Sequence, residues 1–82
     1  MAQRDIRDVF AANLRRLRHE RGISQEDLAH EAHVGRSYLS RIEKGGYYAS
    51  LRIIERLAKT LNVEPAELLK APKKRVTKRR TK

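Results

Sequence analysis

SQEDLAHEAHVGRSYLSRIEKG, residues 24–45, reads as two short helices joined by a tight turn. The Ser24 hydroxyl can accept a backbone N–H, and Gln25, Glu26 and Asp27 set acceptors and negative charge over the positive end of the helix that follows. Leu28, Ala29 and Ala32 form its inner face, with Ala29 small where a closely following helix must cross. The turn is Ala32, His33, Val34 and Gly35, in which Val34 is the apolar plug and Gly35 stands in the capping position of the next helix. That helix runs from Arg36 to about Lys44, with Leu39 and Ile42 inward and Tyr38 at the margin. Arg36, Ser37, Ser40, Arg41 and Lys44 are left outward, and no acid stands among them. Arginine can bond guanine O6 and N7 with both arms, and serine can bond base edges or phosphate, so the face suits a DNA major groove. A helix face turned to solvent has a similar make-up, and the residues of this helix alone leave both readings open.

Upstream, Met1 to Arg4 read as a frayed start and Asp5 as a helix cap, with Asp8 favouring the same helix end. Ile6, Val9, Phe10, Leu14 and Leu17 then fall at helical spacing, leaving Arg7, Arg15 and Arg16 for solvent or a partner. This helix ends near Glu20 or Arg21, before Gly22. Downstream, Gly45 and Gly46 stop the third helix and lead through Tyr47, Tyr48 and Ala49 to Ser50. Ser50 caps a fourth helix through Leu61, whose apolar stripe is Leu51, Ile54, Leu57, Ala58 and Leu61. After Asn62, Pro65 opens a short last helix containing Ala66, Leu68 and Leu69.

Pro72 marks the end of the foldable part, because KKRVTKRRTK has one apolar residue and cannot bury enough surface to fold alone. Residues 1–71 are thus expected to form one small domain and residues 72–82 a basic, disordered tail. Of 20 Lys and Arg, seven lie at 73–82, leaving 13 against 10 acids in residues 1–70; the formal net charge is +10. A polyanionic partner follows, nucleic acid before a membrane surface, although a tail that only confers solubility has the same composition.

Several chemistries are set aside. The chain has no cysteine, so it has no disulfide and no thiolate metal site. It has no apolar run long enough to span a bilayer, and its charged start is unlike a secretory signal; a soluble cytoplasmic protein is expected. Glu26, His30 and His33 share helical spacing, but three ligands from one short helix with no supporting partner make a poor zinc site, so no metal and no cofactor are expected. No Ser-His-Asp order, phosphate-cradling glycine loop or carboxylate pair in an apolar setting is present, which argues against an enzyme.

Three pieces together, NLRRLRHERGISQEDLA at 13–29, VGRSYLSRIEKG at 34–45 and SLRIIERLAKTLNVEPAELL at 50–69, resemble the Cro and repressor-type (XRE-type) helix-turn-helix family. Within it the chain is most similar to compact stand-alone regulators such as the controller proteins of restriction-modification systems. The resemblance implies an all-α fold, a compact five-helix, lambda-repressor-like DNA-binding domain. It implies a transcriptional regulator that binds a palindromic double-stranded operator as a homodimer, with residues 36–44 as the recognition helix. By the same resemblance Gln25 bonds a phosphate, Arg36, Ser37 and Arg41 read bases with Ser40 beside them, and Lys44, Tyr47 and Tyr48 touch the sugar-phosphate backbone. Arg18 and Glu43 match a partly buried ion pair of the family.

The chain departs from the family pattern at three positions. His33 replaces a turn glycine, Gly35 a serine or threonine cap, and Ala49 a frequent proline. The competing reading is an antitoxin-type module that neutralises a partner toxin, for which the tail lacks the usual amphipathic character. The resemblance also admits RNA polymerase or another protein as a further partner of such a regulator. Leu51, Ile54, Leu68 and Leu69 are expected to supply the dimer surface, although ordinary core packing accounts for each of them singly.

Overall fold

The computed structural model describes residues 5–71; residues 1–4 and the basic tail at 72–82 lie outside the described residues. Five helices follow one another: α1 (Ile6–Glu20), α2 (Gln25–Ala32), α3 (Arg36–Lys44), α4 (Leu51–Leu61) and α5 (Pro65–Leu69). Helix α1 packs against α3 and α5, α2 against α3 and α4, and α4 against α5. Leu14, Leu28, Leu39, Ile42, Leu57, Leu61 and Leu68 are the largest apolar side chains sealed from solvent at the centre.

The helix starts follow from local chemistry. The Asp5 carboxylate accepts the Arg7 N–H at 2.9 Å, Ser24 Oγ accepts the Asp27 N–H at 3.0 Å and Ser50 Oγ that of Ile53 at 3.2 Å. Pro65, whose missing N–H costs nothing at a helix start, opens α5. Helix α3 begins at Gly35 without a side-chain cap.

Three helices end on one motif. Gly22, His33 and Asn62 each take a left-handed backbone, at φ of 63°, 58° and 60°. The next residue in each case, Ile23, Val34 or Val63, returns its N–H to the carbonyl of Arg18, Ala29 or Ala58, at 3.2, 2.9 and 2.9 Å. The apolar residue that follows each left-handed position packs against the core, which ties each of these turns to the bundle. His33 adopts a conformation that glycine takes more cheaply, and Arg56 Nη1 on α4 donates to its carbonyl at 3.2 Å.

The apolar stripes depart from expectation at their ends. Ile6 is 46% and Leu51 80% exposed, each standing at the first position of its helix. Leu68, by contrast, is completely buried and Ile54 nearly so, so both are core residues and the exposed apolar surface near α5 falls to Leu51 and Leu69.

Asn13 interrupts the α1 stripe, yet it is buried. Its Nδ2 donates to the carbonyls of Leu68 and Lys70, at 2.9 and 2.8 Å, and so satisfies the end of the five-residue α5. Asn13→Ala leaves those carbonyls without a donor and is expected to cost about 1 to 3 kcal/mol in urea denaturation. A cost below about 0.5 kcal/mol, typical of a surface change, contradicts the role.

Candidate nucleic-acid interface

Helix α3 is held from behind by charge and presents a different charge in front. Glu43 is buried to 4% side-chain exposure on its inner side, and Arg18 of α1, at 13%, closes on it. Arg18 Nε donates to Glu43 Oε2 at 2.8 Å and Nη2 to Oε1 at 3.1 Å, while Nη1 holds the carbonyl of Ile23 at 3.0 Å. Gln25 Nε2, from the first turn of α2, donates to the same Oε1 at 3.1 Å. A carboxylate only accepts, so this hydrogen bond orients the Gln25 amide, whose other N–H and carbonyl make no further hydrogen bond among the described residues. Arg15, left by its spacing to solvent or a partner, instead donates through Nη1 to the carbonyl of Glu43. One helix, α1, therefore grips α3 through two arginines.

The front of α3 is open. Gln25, Arg36, Ser37, Ser40, Arg41 and Lys44 line a concavity of ≈ 350 Å³ with no acidic residue in its wall. Arg36, Ser37, Arg41 and Lys44 are exposed, whereas Ser40 and Gln25 are half-buried. The structure thus brings together six of the side chains singled out in the sequence.

Tyr47 and Tyr48 stand to the side, on the loop after α3. Gly45, at φ 88°, and Gly46, at φ 75°, swing the chain back; a Cβ on Gly45 would lie 2.7 Å from Asp8 Oδ1. The Tyr47 ring then meets the half-buried Tyr38 ring edge-on, with centroids 5.5 Å apart and planes at 79°. Arg41 Cζ lies 5.9 Å from the centroid of Tyr47 and Arg7 Cζ 4.8 Å from that of Tyr48. Arg7 is itself held by Asp5, at 2.9 and 2.6 Å, and donates to the Gly46 carbonyl at 3.3 Å. The side-chain hydrogen bonds from Arg7, and then its backbone N–H, pull the Asp5 carboxyl from 3.8 down to about 2. A depressed carboxyl stabilises the fold above its unfolded value, so this stabilisation is fully present above pH 3.8 and disappears as pH falls through about 2.

Neither the clip made by Asn13 nor the grip of Arg15 on Glu43 is foreseen in the sequence. An asparagine in an apolar stripe is a readable signal for the first; nothing local marks the second. Among the described residues no group of His, Cys, Asp or Glu gathers to hold a metal ion, and no helix is long and apolar enough to cross a membrane.

Two helices joined by a left-handed turn, the second braced from behind by a buried ion pair and open in front with an acid-free face, define a helix-turn-helix DNA-binding domain. The profile of the helix-turn-helix family matches residues 14–68. The chain belongs to that family, in its Cro and repressor-type (XRE-type) branch, and is a transcriptional regulator rather than an enzyme. It is 41% identical over 66 residues to the control protein C.BamHI of Bacillus amyloliquefaciens, a match covering 79% of this chain and 82% of that one. The crystal structure of the restriction-modification controller protein C.AhdI from Aeromonas hydrophila superposes with a TM-score of 0.73 at 42% identity, over 76% of this chain and 94% of that one. The biofilm regulator SinR, solved in complex with DNA, superposes with a TM-score of 0.72 at 32% identity, over 74% of this chain and 98% of that one.

Proposed function

We propose that this regulator binds a palindromic operator as a symmetric homodimer, with α3 of each copy in the major groove. The observation that carries the reading is the outward face of α3, where two arginines and two serines stand exposed or half-buried with no acid beside them. Arg36, Ser37, Ser40 and Arg41 then read base edges, while Gln25, Lys44, Tyr47 and Tyr48 fix register on the sugar-phosphate backbone. Arg18 and Glu43 act from behind, as structural residues. That the related SinR was crystallised with DNA supports the same use of the fold here.

One short recognition helix reads too few base pairs to select a single site, so a second copy is required. A shallow groove at the α4–α5 end, lined by Leu51, Arg52, Ile54, Glu55, Pro65 and Leu69, suits that pairing. Arg52 and Glu55 give it both signs of charge, which is self-complementary about a two-fold axis. Selection from a random DNA pool tests the reading: inverted half-sites about 34 to 36 Å apart are expected. Recovery of no preferred sequence, or sedimentation of monomer alone at micromolar concentration with and without DNA, overturns it.

The basic tail adds affinity for any sequence by releasing counterions. Removing residues 73–82 is expected to flatten the salt dependence of binding, by up to about 0.9 in the log-log slope for each phosphate that is no longer neutralised. An unchanged slope measured by fluorescence anisotropy assigns the tail no part in DNA binding.

A further inference from the structure

Tyr47 does more than flank the interface. Its ring is wedged between two side chains of α3: Tyr38 meets it edge-on at 5.5 Å, and Arg41 Cζ lies 5.9 Å from its centroid. Tyr38 is half-buried and packed against the hydrophobic core, so the fold anchors one side of the ring. Gly45 and Gly46, both at positive φ, return the loop along α3 and bring the ring into place. Arg41 has no carboxylate partner among the hydrogen bonds and ion pairs of the described residues, so nothing acidic competes with the ring for its guanidinium.

We infer that Tyr47 is a positioning residue for sequence readout, its ring face holding Arg41 in a base-reading pose before DNA arrives. This rests on the proposed role of α3. A free arginine loses much rotamer freedom when it docks on a guanine edge, and a planar guanidinium over an aromatic face has already lost part of it. The benefit falls only on the base pair that Arg41 reads, because only there is the pose used. A phosphate bond through the Tyr47 hydroxyl acts differently, adding equally to every sequence. The ring and the hydroxyl can therefore be separated by substitution.

The test uses the full chain, the duplex that the wild-type protein selects from a random DNA pool, and single-base variants of that duplex. Tyr47→Phe keeps the ring and is expected to retain discrimination, with any loss of affinity uniform across sequences. Tyr47→Leu keeps bulk against Tyr38 without a π face and is expected to lower discrimination about two- to five-fold, only at the base pairs where Arg41→Ala lowers it. In the Tyr47→Leu, Arg41→Ala double variant no further discrimination is lost. Uniform weakening by Tyr47→Leu, or additive losses in the double variant, overturns the inference.

A second readout needs no DNA. In the free protein, the Arg41 Nε–Hε group is expected to be more ordered by NMR relaxation in the wild type and Tyr47→Phe than in Tyr47→Leu. Equal mobility in all three overturns the brace even if the operator reading stands. A wild-type protein that selects no sequence while its Arg41 is ordered by Tyr47 fails the operator reading instead.

Discussion

Glu43→Ala is expected to destabilise the domain by about 3 to 5 kcal/mol, as much as emptying a core leucine site. The carboxylate is 4% exposed and accepts three N–H groups, two from Arg18 and one from Gln25. Truncation leaves the Arg18 guanidinium, 13% exposed, without a counter-charge. The cost arises from the stranded partner more than from any large worth of the pair, since a buried ion pair nearly cancels its own desolvation. Replacing both residues with apolar side chains of similar volume is therefore expected to recover most of the loss. Chemical denaturation of Glu43→Ala, Arg18→Ala and the double replacement measures this. If the two single losses simply add in the double variant, the residues are not coupled and the bracing of α3 by α1 lies elsewhere.

Arg36→Ala and Arg41→Ala are expected to leave stability within about 0.5 kcal/mol of wild type, because both side chains are exposed. Each is instead expected to cost about 1 to 3 kcal/mol in operator binding, or about 5- to 150-fold in Kd, concentrated at particular base pairs. Competition binding against a panel of single-base variants reads this directly. Uniform weakening across the panel reassigns the arginine to the phosphate backbone. The contrast with Glu43 is sharp: one face of α3 carries folding energy and the opposite face the proposed recognition, over a helix of nine residues.

Much of the architecture is legible from local chemistry. Ser24 and Ser50 announce helix starts through their side-chain oxygens, and Gly22 and Asn62 announce helix ends through their tolerance of left-handed backbone. Leu39 and Ile42 face inward at helical spacing, which turns Arg36, Ser37 and Arg41 outward without further information. What stays hidden depends on partners distant in the chain. Asn13 looks like a flaw in an apolar stripe until its carbonyl partners, 55 and 57 residues away, are known. The exposure of Ile6 and Leu51 depends on how the helices pack around their first turns, which no periodicity records. The Tyr38–Tyr47 packing needs the direction of a two-glycine turn, and the base-reading and phosphate roles rest on resemblance to a family rather than on spacing.

Helix α1 holds Asn13, which clips α5, and Arg15 and Arg18, which grip α3, within five positions of one another. At about 1.5 Å per residue that is roughly 7.5 Å of continuous helix joining the end of the molecule proposed to pair with the edge proposed to read DNA. In the proposed dimer this rod works as a ruler. The gap between the two reading helices is then a fixed dimension of the protein, with no loop to stretch. One added base pair between half-sites turns one of them by about 35° around the duplex axis, at about 10 to 10.5 base pairs per turn. A ruler this short does not bend to follow. Spacing between half-sites thereby becomes as much a part of the recognised message as the bases themselves.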